Sequence, residues 1–158
     1  MKTFQSRFSI CYADTDAGGV VYHSRYIDMA ERARMEMLHE LGISCRDLEK
    51  AEKPCGFMVH KLEIEYKRPA FLEDELTVET QVLKIGGATF DLLQTVKRGD
   101  ETLVEIKVYA LAVAGGPKLR FEFARVFRAV RNGVGHYEQL SQHRGKLQHV
   151  FGGGRAGH

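Results

Sequence analysis

The chain has 158 residues, 44% of them hydrophobic and 28% charged, with a formal net charge of +2. That length and composition fit one globular domain with its own core, and no apolar run approaches the roughly 20 residues of a membrane-spanning helix. The N-terminus MKTFQSRFSI lacks the long apolar stretch of a secretory signal, so a cytoplasmic protein is expected.

Charge is unevenly placed. Lys and Arg number 15 against 19 Asp and Glu over residues 1–116, but 8 against 2 over residues 117–158. This predicts a mildly acidic domain over 1–116 followed by a basic extension, with no nucleic-acid partner expected. Cys11, Cys45 and Cys55 are odd in number and lack paired spacing, so they read as reduced thiols, not as a zinc site or a disulfide framework. No G-x-S-x-G, Walker or dinucleotide glycine pattern occurs, and the seven histidines form no metalloprotease-type pair.

In chain order, Phe4, Phe8, Ile10 and Tyr12 recur at even spacing, the pattern of a strand with one buried face. A loop, DTDAGGVVYH, follows over residues 14–23. Ser24 then reads as the N-cap of a helix that carries Asp28 near its positive end. Along it Tyr26, Ala30, Ala33, Met37 and Leu41 form an apolar stripe of helical period, and Gly42 ends the helix with Ile43 folding back on Leu38. After a linker containing Pro54 and Gly56, HKLEIEYK alternates, with His60, Leu62, Ile64 and Tyr66 on one face. Strands are predicted over 75–85, 88–98 and 101–114, joined by tight turns at Gly86-Gly87 and Gly99-Asp100. From Val108 to Ala114 the last strand is almost wholly apolar, as if covered on both faces. The fold class is α+β, one long helix wrapped by a curved antiparallel sheet, with edges left for a dimer or higher assembly.

Chemistry concentrates in the loop. Gly18 and Gly19 permit positive φ and close approach of a ligand, and the helix start behind them offers unpaired N–H groups able to hold an oxyanion. A carboxylate beside that place, from Asp14 or Asp16, could activate water or attack a carbonyl directly. On residue types alone, the two acids serve equally well as turn formers.

The segment YADTDAGGVVYHSRYIDMAERARMEML resembles the signature region of the YbgC-type acyl-CoA thioesterases, in the 4-hydroxybenzoyl-CoA thioesterase group of the hot-dog superfamily. The likeness extends more loosely through YKRPAFLEDELTVET to about residue 114. It implies a hot-dog fold and hydrolysis of an acyl-CoA thioester to a free acid and coenzyme A, with no metal or redox cofactor. The family's Asp-x-x-Gly pattern falls on Asp16 to Gly19, which makes Asp16 the catalytic acid, as general base or nucleophile. A tyrosine four residues earlier and a histidine seven later are Tyr12 and His23, the other catalytic candidates. Tyr12 is equally explained by packing in the first strand. Asp14 reads as structural.

For substrate binding the candidates are the backbone at Gly19 and Val20, and Lys67 and Arg68 for the phosphates of coenzyme A. Glu31 and Arg34 read either as support for the site or as a surface ion pair at helical spacing. Past residue 116 the resemblance fails. Leu119, Phe123, Val126, Phe127 and Val130 fit one face of a basic amphipathic helix, which could dock weakly on a membrane surface or on another subunit, and a glycine-rich tail follows. The competing reading is a non-catalytic hot-dog module that binds acyl-CoA or a protein partner. Asp16 separates the two, since a binder has no use for a carboxylate beside a thioester carbonyl.

Overall fold

Five antiparallel strands, ordered β1-β3-β4-β5-β2, form one sheet that carries the long helix on its inner face. The computed structural model describes residues 2–50 and 53–114, and positions 124, 128 and 131 beyond them. The strands are β1 (Thr3–Ser9), β2 (Cys55–Tyr66), β3 (Glu75–Ile85), β4 (Thr89–Arg98) and β5 (Glu101–Ala114). The helices are α1 (His23–Glu40) and α2 (Cys45–Glu49). Among the described residues no helix is long and apolar enough to cross a membrane.

Alternation sets the sheet. Val78, Thr80 and Val82 of β3, Leu92, Gln94 and Val96 of β4, and Ile106, Val108 and Ala110 of β5 all turn inward and are buried. Their cover is the predicted stripe of α1, where Ala30 and Ala33 are 1% exposed and let the helix approach the sheet closely. The helix closes as the sequence indicates. Ile43 N–H donates to the Leu38 carbonyl at 2.8 Å and Gly42 N–H to His39 at 2.9 Å, with Gly42 at φ 77°. Gly42→Ala should therefore lower stability by about 1 kcal/mol, measured by denaturant unfolding, because a Cβ strains that backbone.

Several expectations are corrected. Tyr12 is not part of the first strand: β1 ends at Ser9, and Tyr12–Asp14 form a 3-10 turn that leaves the Tyr12 side chain 81% exposed. Ser24 does not cap α1, which begins at His23 with Tyr22 at the cap and no side-chain cap bond. Asp28 consequently sits beyond the first turn and pairs with Arg25 at 3.3 Å. β2 begins at Cys55, earlier than predicted, and a bulge at His60 shifts its register on β5 between Val59 and Lys61. The bulge reverses the alternation, so Cys55 and Phe57 on one side of it and Leu62 and Ile64 on the other face the core; His60 is exposed, while Tyr66 keeps the predicted face and meets the Tyr26 ring at 5.8 Å. β5 is covered on one face only: Val108, Ala110 and Ala112 are buried, but Val113 is 39% exposed. The amphipathic face of the extension lies outside the described residues. Ala124, Arg128 and Arg131 are helical, and Ala124 is buried.

Candidate active site

The loop between β1 and α1 is held at both ends by its own acids and by a second loop. Asp14 accepts the Cys11 N–H at 3.0 Å and its carbonyl accepts the Tyr22 N–H at 2.8 Å, the structural role expected of it. Asp16 forms an Asx turn, with Oδ1 accepting the Gly18 N–H at 2.8 Å. A Cβ on Gly18 would press on that oxygen at 3.1 Å. Positive φ is needed at Gly19 alone (79°) and not at Gly18. The second oxygen of Asp16 has no partner among the described residues, and the side chain is exposed.

The donors in the loop are divided. Gly19 N–H is spent on the Asp16 carbonyl at 3.0 Å, so Gly19 supplies the turn. Val20, His23 and Ser24 have N–H groups with no acceptor among the described residues. These are the orphan donors of a loop and a helix start, where an anion is favoured.

Across from the loop runs the segment 67–74. Val21 N–H donates to the Ala70 carbonyl at 2.9 Å, and Ala70 N–H donates back to the Tyr26 hydroxyl at 3.1 Å. Burial pushes the Tyr26 phenol up, so it stays protonated, as does Tyr66, whose hydroxyl donates to the His23 carbonyl at 2.9 Å. Arg98 staples the segment: its guanidinium reaches Asp74 at 2.7 Å and Glu101 at 2.8 Å and lies 5.9 Å from the centre of the Phe71 ring. Desolvation opposes ionisation of Asp74, but the Phe71 N–H and Arg98 outweigh it and hold the carboxyl below its ordinary range. A carboxylate depressed in the folded state stabilises above its unfolded pKa, and that contribution fades as pH falls through the folded value. Asp74→Asn should thus be less stable than wild type at neutral pH and converge with it in acid, checked by unfolding at both pH values.

A cavity of about 320 Å³ brings together three of the expected residues, His23, Lys67 and Arg68, with Tyr26 and Tyr66. Lys67 pairs with Glu105 at 3.2 Å and Arg68 with Glu101 at 3.4 Å. Such exposed pairs are worth about 1 kcal/mol or less, so a phosphate can displace the carboxylates. Asp16 and Tyr12 line neither this cavity nor the larger one. Glu31 and Arg34 make no ion pair: Arg34 turns inward and donates to Gln94 at 2.9 Å. Lys67 and Arg68 are candidates from the sequence, but the hold of segment 67–74 on the loop has no local signal, because the bonds of Ala70 to Val21 and Tyr26 join residues far apart in the chain.

A long helix laid on a curved antiparallel sheet, with a polar loop at the helix start, defines a hot-dog protein. A probable thioesterase from Bartonella henselae has this fold, with a TM-score of 0.69 and 32% identity over 71% of this chain and 92% of that one. Residues 12–116 match the thioesterase-like superfamily, and the chain belongs to that family. The acyl-CoA thioester hydrolase YbgC of Escherichia coli O6:H1 is 39% identical over 105 residues, covering 66% of this chain and 77% of that protein. The acyl-CoA thioesterase YbgC of Haemophilus influenzae is 38% identical over 120 residues, covering 76% and 88%.

Proposed function

We propose that this thioester hydrolase cleaves acyl-CoA, with Asp16 as the reacting carboxylate. The observation that carries the reading is the division of labour at Asp16, where one oxygen is tied to the Gly18 N–H and the other is unspent, in a loop with unspent donors at Val20, His23 and Ser24. The fixed oxygen orients the group, and the unspent one can take a proton from water or attack the thioester carbon. As the new C–O bond forms, the carbonyl oxygen becomes negative and is held by the backbone donors. Collapse breaks the C–S bond, and the leaving sulfur takes a proton from the Asp16 carboxyl in the general-base route or from water in the nucleophilic route, where a water then hydrolyses the Asp16 anhydride to release the free acid.

His23 faces the cavity that also holds Lys67 and Arg68, so it sits between the reacting loop and the cations assigned to the phosphates. Tyr12, four residues before Asp16, presents an exposed phenol to a substrate laid across the loop. The reading includes a homo-oligomer. Among the described residues the outer edge of β2 has no strand beside it, and Met58 (50%) and Val59 (37%) are exposed there, which supports edge pairing with a second copy. It also places the reaction in the cytoplasm and keeps weak membrane-surface contact through the basic extension as a proposal.

Thiol release measured across short, long and aromatic acyl-CoAs tests this function. Turnover of at least one class is expected, and none from any class would exclude it. His23→Ala should lower kcat more than it raises KM, and the opposite split would make His23 a binding residue.

A further inference from the structure

A second cavity, of about 610 Å³, opens between α1, α2 and the β2 side of the sheet. Its size lies within the range of small-molecule sites, and Leu38, Leu48, Phe57, Leu62 and Leu92 give it a mainly apolar lining. Ile27, one helical turn beyond His23, lines it too, so it continues along α1 from the smaller cavity.

One cation, Arg34, stands in this wall, and Glu31 and Glu49 also line the cavity. Arg34 is half-buried and lines the cavity, yet it makes no ion pair among the described residues. Its single hydrogen bond runs from Nη1 to Gln94 Oε1 at 2.9 Å. Gln94 cannot turn away, because its Nε2 donates to the Ala30 carbonyl at 2.9 Å and to Thr80 Oγ1 at 3.0 Å, and the side chain is fully buried. Gln94 therefore fixes one corner of the guanidinium, and the other four N–H donors have no acceptor among the described residues. Burial pulls the Arg34 pKa below its ordinary value, and the charge of Glu31 offsets only part of that. A half-buried guanidinium with no carboxylate in hydrogen-bond reach gains from a ligand that supplies the missing oxygens.

We propose that Arg34 is a specificity-determining residue that selects acyl groups carrying a carboxylate at the end remote from the thioester. The planar guanidinium matches a carboxylate by two parallel N–H···O bonds, and the apolar lining takes the intervening chain. This deepens the thioesterase reading and rests on it.

The test compares kcat/KM for acyl-CoAs of matched length ending in a methyl or a carboxylate, together with binding of their non-hydrolysable thioether analogues. Wild type should prefer the carboxylate-ended member by about tenfold or more at one or more lengths. Arg34→Met should lose that preference while still releasing thiol from the methyl-ended member, and Arg34→Lys should keep part of it. A wild-type preference for the methyl-ended member at every length would overturn the proposal, without needing any variant to fold. So would a preference unchanged in Arg34→Met. If no thioester is hydrolysed, the thioesterase reading fails, and the analogue affinities then decide the role of Arg34 by the same comparison of wild type with Arg34→Met.

Discussion

Asp16→Asn is expected to lower thiol release from acyl-CoA by about 10²- to 10⁴-fold, the range associated with loss of a positioned acid or base. The amide keeps an oxygen for the Gly18 N–H, so the Asx turn at 2.8 Å can persist and the loop keep its shape. What disappears is the charge on the second oxygen, which is the basic or nucleophilic centre. Tight scaffolding around the loop makes this a clean substitution: Val21 is tied to Ala70 and Tyr22 to Asp14, and neither bond uses the Asp16 side chain. Stopped-time thiol assays and thermal melting on the same sample check both halves of the expectation. A rate within threefold of wild type would remove Asp16 from the reaction.

Gln94→Ala should lower the free energy of unfolding by about 3 kcal/mol, from lost hydrogen bonds and the void left in the core. The side chain is 0% exposed and joins three elements, accepting from Arg34 and donating to the Ala30 carbonyl and Thr80. Truncation leaves the Thr80 hydroxyl (1% exposed) without its donor and the Arg34 guanidinium without its anchor. For a chain of this length the change corresponds to a fall of about 10 °C in Tm. Calorimetry that finds a shift below about 2 °C would show that water or neighbouring groups replace the network.

Much of the architecture was legible because it is written in short periods. The apolar stripe of α1, the hairpin turns at Gly86-Gly87 and Gly99-Asp100, and the bounds of β3 and β5 follow from local spacing. Three features have no such signature. The five-residue helix α2 is too short for a period, though Ser44 caps it by accepting the Asp47 N–H at 3.3 Å. The bulge at His60 adds one residue to a strand that still alternates on either side, so the pattern of HKLEIEYK alone assigns His60 to the wrong face. Tyr12 continues the even spacing of Phe4, Phe8 and Ile10, yet the chain has already turned, with the Asp14 carboxylate on the Cys11 N–H.

The site was legible where it is contiguous. Asp14, Asp16, Gly19 and His23 fall within ten residues, and their types fit a capped, glycine-bearing loop at a helix start. The segment that locks this loop was not, because Ala70, Asp74 and Arg98 lie far along the chain, and Ala70 acts through backbone bonds that any residue can make. Arg34 stands between two readings in the sequence for a related reason. Its spacing from Glu31 suits a surface pair, and only the fold shows that Gln94 draws it inward.

Titration of wild type and Asp16→Asn with a thioether analogue of a hydrolysed acyl-CoA, alongside thiol release from the parent thioester, separates chemistry from recognition. The carboxylate at position 16 is predicted to matter for bond cleavage alone: analogue affinity within a few-fold of wild type, with turnover all but gone. Persistent turnover in the variant, or affinity and turnover falling in step, would contradict that role.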